Sequence, residues 1–369
     1  MRPIKRVAVL GAGVMGATIA AHLANAGIDV LLLDMVPREL NDAEKEAGLT
    51  KEAPRFRNRL AARGLETIAK MKPAAFFVKD CAARMAIGNF DDDLSKLKEC
   101  DWVIEVVVEN MAVKKKLLGE RVASHLGEET ILSTNTSGLS VNELAQVLPE
   151  AVRRRFLVTH FFNPPRYMRL LEIVPCRDTD PEVVSGLASF ISARLGKGIV
   201  YAKDTPNFIA NRIGVYSIFN AIGHMTDMGL SVEEVDSVAG PATARPKSAA
   251  FRTADLVGID TLVHVGNNSY ELLPDDEERE VFKVPPFMQQ MIEAGRLGNK
   301  TKGGFFRKEK SAEGTQIYYY DYPSGEYRPA QKPKFASVQA TKQQDDPVQR
   351  LQTVVAGQDP GAEFAWKNL

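Results

Sequence analysis

Along the first part of the chain, short aliphatic and β-branched runs alternate with helical patterns. The runs lie at 6–10, 29–33, 84–87, 102–107, 130–133, 156–160, 170–174 and 198–201. Such alternation is the signature of a parallel sheet with crossover helices. Capping signals support the helices between them. Ser140-Val141-Asn142-Glu143 reads as a capping box, and Asp180-Pro181 sets an N-cap before a proline at the first helical position. Residues 41–73 form a charged helical insertion after the second strand, with Arg55, Arg57, Arg59 and Arg63 close together. It reads as a solvated helical hairpin or as a site for an anionic group.

The pattern changes near Asp204-Thr205-Pro206. From Phe208 onward it is mostly helical, with another capping box at Ser231-Val232-Glu233-Glu234. Positions 317–320 and Tyr327 flank the turn Pro323-Ser324-Gly325, as in a small hairpin. Residues 330–346 are rich in Lys, Gln, Pro and Ser, as a linker is. The closing Phe364-Ala365-Trp366 has aromatic residues with little chain left to bury them, which suggests an interrupted polypeptide.

Composition narrows the class. The 369 residues are 44% hydrophobic and 25% charged, which suits a soluble globular protein of two or three domains. Basic and acidic residues both number 47, so the chain lacks the global positive balance of a nucleic-acid binder. Arg153-Arg154-Arg155 reads as a solvated helix end. Cys81, Cys100 and Cys176 have no CxxC spacing, and no histidine pair has metalloprotease spacing. That argues against a metal site or a disulfide framework and for a reducing compartment. The N-terminal basic and apolar residues superficially suggest a signal peptide, but the run is short and passes straight into a glycine turn. No window approaches the roughly 20 apolar residues of a membrane span.

That turn is Gly11-Ala12-Gly13-Val14-Met15-Gly16, between a strand and a helix over 15–26. Gly11 permits the tight turn, Gly13 lets backbone approach a pyrophosphate, and Gly16 lets the helix pack close to the sheet. The helix N-terminus then offers N–H groups to phosphates. Asp34 ends the next strand, where a carboxylate accepts bonds from an adenosine ribose and repels a 2′-phosphate. NAD is therefore favoured over NADP. The fold class expected is α/β. A Rossmann-type, mostly parallel sheet with a helical hairpin insertion spans 1–204, and an all-α domain spans 205–308. A small hairpin and linker over 309–369 would lead to a missing region.

A second constellation lies in Val158–Val174. His160 closes one apolar run, Glu172 lies inside the next, and Asn163-Pro164-Pro165-Arg166 reads as the turn between them. Strands joined this way lie side by side, so the carboxylate can meet the imidazole. A carboxylate on one ring nitrogen fixes the tautomer and makes the other nitrogen a better base.

With these residues in view, the chain resembles the L-3-hydroxyacyl-CoA dehydrogenase family of fatty-acid β-oxidation. The resemblance covers about residues 4 to 307. It rests on GAGVMG at 11–16, DWVIEVVVEN at 101–110, STNTSGLS at 133–140, HFFNP at 160–164, LLEIV at 170–174, KDTPNFIANRI at 203–213 and GNKTKGGFF at 298–306. The stretch 240–261 carries a narrower likeness to bacterial fatty-acid oxidation polypeptides, in which a hydratase region follows the dehydrogenase.

The resemblance implies NAD-dependent oxidation of an L-3-hydroxyacyl-CoA to a 3-ketoacyl-CoA. It makes His160 the base and Glu172 its orienting partner, and it places Ser137 and Asn211 on the reacting oxygen. Glu109 and Lys114 would approach the nicotinamide half of the cofactor, with Asn163 and Lys300 as further contacts. Read without the resemblance, Lys114 in its Lys-Lys-Lys run is a solvated residue, and Asn211 is a helix-packing one. Also implied are an acyl-CoA partner, a homodimer through the helical domain, a partner thiolase and a cytoplasmic location. The chain departs from the family at Asn207, where a glycine is usual, and at Gly138, where a second hydroxyl is usual. The family's CoA contacts fall in the insertion at 41–73, whose arginines offer cations to the CoA phosphates. Two other readings compete: a β-hydroxyacid dehydrogenase, which uses a lysine and lacks HFFNP, and a non-catalytic NAD-binding scaffold.

Overall fold

Every expected strand of the first part forms, with bounds that shift by at most a few residues. They are β1 (Arg6–Leu10), β2 (Asp29–Asp34), β3 (Met85–Asn89), β4 (Trp102–Glu105), β5 (Ile131–Thr134), β6 (Phe156–Phe161), β7 (Leu170–Pro175) and β8 (Gly198–Tyr201). The computed structural model describes residues 3–311 and 314–369. The strands make one sheet in the order β3-β2-β1-β4-β5-β6-β7-β8. Only the β6–β7 pair is antiparallel. Both faces are covered: Val7, Val9, Leu32 and Ile104 bury on one, and Ala8, Leu10, Leu33 and Val103 on the other. That is why these strands read as continuous apolar runs.

Helix α1 (Val14–Asn25) follows β1 directly. The insertion is not a two-helix hairpin. It holds α2 (Asp42–Glu46), α3 (Pro54–Arg57) and α4 (Arg59–Lys70). Proline starts α3, and Asn58, with φ −96° and ψ 7°, interrupts the chain between α3 and α4. Helix α4 lies on the glycine turn: a Cβ at Gly64 would come within 2.5 Å of the Ala12 carbonyl oxygen. The remaining helices of this region are α5 (Met111–Lys115), α6 (Val141–Ala145), α7 (Glu150–Arg153) and α8 (Pro181–Leu195).

Of two capping expectations, one needs correction and the other holds in position. The Ser140 hydroxyl accepts from the Glu143 N–H at 3.2 Å, but the Glu143 carboxylate turns to Lys115 at 2.8 Å and closes no box. Asp180 is the N-cap of α8 and Pro181 opens it, as expected, while the Asp180 carboxylate holds the Arg154 guanidinium and bonds no helix N–H. In each case a cation offered the carboxylate a charged partner.

The chain divides into two compact units between Phe208 and Ile209. The second contains α9 (Ala210–Met228), α10 (Val232–Val238), α11 (Phe251–Val257), α12 (Ile259–Leu272) and α13 (Pro286–Glu293). An antiparallel sheet follows, β9 (Phe306–Ser311), β10 (Gly314–Asp321) and β11 (Glu326–Pro329), in the order β11-β10-β9. The expected hairpin is thus joined by a third strand, which begins in the GNKTKGGFF segment. The capping box at Ser231 forms with both of its bonds.

The segment expected as a linker is structured. It carries α14 (Ala336–Gln339), and α15 (Pro347–Val355) and α16 (Pro360–Lys367) follow. Glu233 accepts from the N–H groups of Gln331 at 2.8 Å and Lys332 at 3.0 Å. Phe364 is fully buried in the same core as Phe219, Met225, Phe251 and Phe305, while Trp366 stays exposed. The polar residues of this region cover one side of short helices whose other side is apolar, so composition alone resembles a linker.

Candidate active site

In an open sheet of this topology, ligands bind beyond the carboxyl ends of the strands, where the chain order reverses. Here the reversal falls between β1 and β4, and the glycine turn leaves β1 there. Gly11 has φ +108°, and a Cβ on it would lie 2.6 Å from the Val106 carbonyl oxygen. A Cβ on Gly16 would lie 1.8 Å from the Gly11 oxygen, so helix α1 meets the turn too closely for any side chain. A Cβ on Gly13 would meet nothing within 4 Å, which leaves open space beside the backbone. No side chain caps α1, so the first-turn N–H groups at Val14, Met15 and Gly16 remain for an anion. Asp34 accepts from the Ala12 N–H at 2.6 Å and the Met35 N–H at 2.7 Å, which ties the ribose-side carboxylate to the turn. These residues fit a dinucleotide.

His160 and Glu172 are direct cross-strand partners in the β6–β7 pair. They share one face because side chains alternate along each strand, Phe156, Val158 and His160 on β6 and Glu172 and Val174 on β7. The His160 Nδ1 lies 2.8 Å from Glu172 Oε2, with the histidine 5% exposed and the glutamate 0%. An ionised Glu172 only accepts, so in the neutral imidazole Nδ1 is the donor and Nε2 has the lone pair. Phe162 and Phe208 pack on the imidazole, their ring centroids 4.4 Å and 5.8 Å away. Asn163 stands exposed in the turn beyond β6.

A third cluster occupies the ends of β4 and β5. Lys114 is buried, not solvated, and donates to Glu105 at 2.7 Å and 2.9 Å. It lies 3.5 Å from Glu109 as well. Thr134 donates to Glu105 at 2.5 Å, and the Val107 N–H does so at 2.6 Å. Glu109 accepts from the Thr136 hydroxyl at 2.6 Å, the Ser137 N–H at 2.8 Å and the Ser137 hydroxyl at 3.2 Å. Burial pushes the Glu109 carboxyl upward, but the Lys114 charge and the bonds from Thr136 and Ser137 outweigh it and hold it below the usual range.

Sequence reasoning passed over Glu105 and Asp204. Glu105 is an acid inside the apolar run of a central strand, a signal that a buried cation lies nearby. Asp204, read as a boundary marker, clamps the start of α6. It accepts from the Ser140 hydroxyl at 2.7 Å, the Val141 N–H at 2.9 Å and the Asn142 side-chain amide at 2.6 Å.

The arginines of the insertion separate into two kinds. Arg57 makes a bidentate pair with Asp92, both bonds 2.7 Å, and Arg59 bonds Glu44 and the Glu39 carbonyl. Arg55 and Arg63 are exposed and line a cleft of about 630 Å³ with Glu44, Arg59 and Glu66. In the second unit, Asn211 sits in the first turn of α9. Lys300 pairs with Asp260 at 2.5 Å and 2.6 Å. Burial pushes the Asp260 carboxyl up, but its bond from Lys300 leads the effects that bring it below the usual range.

Comparison with known proteins agrees with this geometry. The family described as 3-hydroxyacyl-CoA dehydrogenase, NAD binding domain, matches residues 6–205. Its C-terminal domain matches 208–308. The chain therefore belongs to the 3-hydroxyacyl-CoA dehydrogenase family, and NAD is the cofactor of its first domain. It is 45% identical over 363 residues to a probable 3-hydroxyacyl-CoA dehydrogenase of Bacillus subtilis, covering 98% of this chain and 45% of the relative. A Deinococcus radiodurans relative with the same description is 45% identical over 307 residues, 83% of this chain and 84% of its own. A putative fatty acid oxidation complex trifunctional enzyme of Rickettsia felis is 34% identical, over 82% of this chain and 40% of the relative. The chain thus spans less than half the length of the Bacillus and Rickettsia relatives. Among solved structures, (S)-3-hydroxybutyryl-CoA dehydrogenase from Ralstonia eutropha is 30% identical, with a TM-score of 0.63 over 82% of this chain and 98% of that one.

Proposed function

We propose that this chain oxidises L-3-hydroxyacyl-CoA to 3-ketoacyl-CoA with NAD+, and that His160 is the general base. The buried 2.8 Å bond between His160 Nδ1 and Glu172 carries this reading. It leaves Nε2 to take the proton of the substrate's C3 hydroxyl. As that proton leaves, electron density on the oxygen helps C3 release its hydride. Bound NAD+ supplies the hydride acceptor. Glu172 offsets the positive charge that His160 gains, and Ser137 and Asn211 serve as hydrogen-bonding partners of the same oxygen. Glu109, Lys114, Asn163 and Lys300 serve the nicotinamide side.

The same proposal includes the acyl-CoA partner, a homodimer through the helical domain, a thiolase partner and a cytoplasmic setting. No helix among the described residues is long and apolar enough to cross a membrane. The CoA phosphates are assigned to Arg55 and Arg63, whose guanidiniums line the cleft, and not to Arg57, which Asp92 already holds. Replacing Arg55 and Arg63 together by Ala should raise KM for acetoacetyl-CoA about fivefold, an effect in the range of lost charge-assisted bonds. Unchanged KM removes the assignment.

The test of the activity is acetoacetyl-CoA-dependent oxidation of NADH. Turnover that falls by about 10²–10⁴-fold in His160→Gln is expected for loss of a general base. A protein that binds NADH but shows no turnover is a scaffold, and turnover that survives His160→Gln assigns the base elsewhere.

A further inference from the structure

The strand pairing that brings His160 to Glu172 ends one residue later, at Phe161 and Leu171. Residues 162–169 lie outside that ladder. They leave β6 at its carboxyl end, and β6 runs parallel to β5, so the turn stands at the edge of the sheet where ligands bind. Its own backbone bonds are local: the N–H groups of Tyr167 and Met168 both donate to the Pro164 carbonyl at 3.0 Å. Two cations fasten the turn to the rest of the first unit.

One is Lys197, which follows the C-cap of α8 and precedes β8. It is 4% exposed, and its ammonium donates to the Pro165 carbonyl and, at 2.7 Å, to the Met168 carbonyl. Its Nζ also stands 5.9 Å from the Phe161 ring centroid, within cation–π range. A buried lysine is ordinarily paired with an acid. Here the acceptors are two carbonyls of a single turn, and burial pushes the ammonium down to about 8. The end of α8 is anchored in its turn by His22 of α1, whose Nε2 meets the Leu195 carbonyl at 3.1 Å. Burial and then the Lys197 charge push His22 down to about 4, so the neutral ring donates that bond and adds no second charge beside the ammonium. The other cation is Arg166, which donates to the carbonyls of Ala74 and Phe76, both at 2.7 Å, and ties the turn to the chain that follows the insertion.

We infer that Lys197 is a positioning residue for the cofactor: by holding the Pro165 and Met168 carbonyls it sets the turn that carries Asn163. This rests on the cofactor contact proposed above for Asn163. His160 needs no such support, because the ladder and the Glu172 bond already fix it. One short segment thus contains two separately held groups, a base fixed by strand pairing and a cofactor contact fixed by a buried lysine.

The test is a double-mutant cycle on NADH affinity, read by fluorescence, with Lys197→Met, Asn163→Ala and the double variant, and with Tm and kcat at saturating NADH measured alongside. Each single change should raise the NADH Kd about tenfold, in the range of one lost hydrogen bond. The double variant should bind no more weakly than the weaker single one, because Lys197 acts through Asn163. In Lys197→Met, kcat at saturating NADH should stay within about twofold, as expected when binding alone is lost. A lowered Tm with unchanged NADH affinity makes Lys197 merely structural and overturns the inference. Losses that multiply in the double variant, or an Asn163→Ala variant with full affinity, also overturn it. If Lys197→Met does not fold, Lys197→Gln, whose amide can serve only part of the ammonium's role, is read in the same cycle. The cycle needs no turnover, so an unaltered protein that binds NADH without turnover overturns the dehydrogenase activity while the affinities still decide this inference.

Discussion

Buried carboxylates occur in both units of the molecule, but they are satisfied in different ways. In the first unit, Glu172 meets His160 and Glu105 meets Lys114, so each acid faces a group that carries or can carry positive charge. In the second unit, Asp236 accepts mainly from backbone, the N–H groups of Ala250, Phe251 and Arg252, with the Arg252 guanidinium at a longer 3.3 Å. Asp255 accepts from those of Phe305 and Phe306. Burial pushes both of these aspartates up to about 6. The first arrangement builds charge and proton-accepting capacity at strand ends, where a ligand can use it. The second stitches a helical unit to its own turns. The acids of the proposed site are those whose nearest partner is a histidine or a buried lysine.

The comparison breaks most visibly at Lys114. Lys114→Met would leave Glu105 buried without its cation, which should destabilise the first unit by about 3–5 kcal/mol. Urea unfolding measures the loss, and hydrogen exchange by mass spectrometry shows whether it falls on peptides before Phe208. Asp255→Ala should act on peptides after Ile209. It strands two buried N–H groups, at a cost of about 2–4 kcal/mol. Equal protection changes in both units for either variant would show that the distinction between the two arrangements is not real.

A smaller effect should appear as a pH dependence at Glu109. Its carboxyl is held below the usual value of 4.5, so its contribution to stability is present above that pH and lost as pH falls through the lowered value. The difference in Tm between the unaltered protein and Glu109→Gln should therefore persist above about pH 4.5 and shrink in stronger acid. A difference that grows on acidification contradicts the role given to Lys114, Thr136 and Ser137.

Much of the first unit was legible because parallel strands covered on both faces leave uninterrupted apolar runs, and the glycine turn has sterically fixed spacing. The facing of His160 and Glu172 followed from two apolar runs joined by a turn. What stayed hidden were pairings across sequence. Lys114 reads as solvated in a triple-lysine run, yet helix α5 starts at Met111 and turns it inward to Glu105. Nothing local to Arg57 announces Asp92. Residues 330–346 read as linker because polar residues outnumber the apolar ones there, and the closing Phe364 shows no partner until the fold brings it into the core. Asn207 and Gly138 lie far apart in the chain, and their proximity appears only in the fold.

The central claim is that His160 and Glu172 act as one base. It is tested most directly by kcat for acetoacetyl-CoA reduction in His160→Gln, Glu172→Gln and the double variant, with NADH affinity measured alongside. Residues that act as a unit give strongly non-additive losses. The double variant should be no slower than the slower single one, at about 10²–10⁴-fold below the unaltered protein, with NADH binding retained. Losses that multiply, or a Glu172→Gln variant with full kcat, would contradict the account.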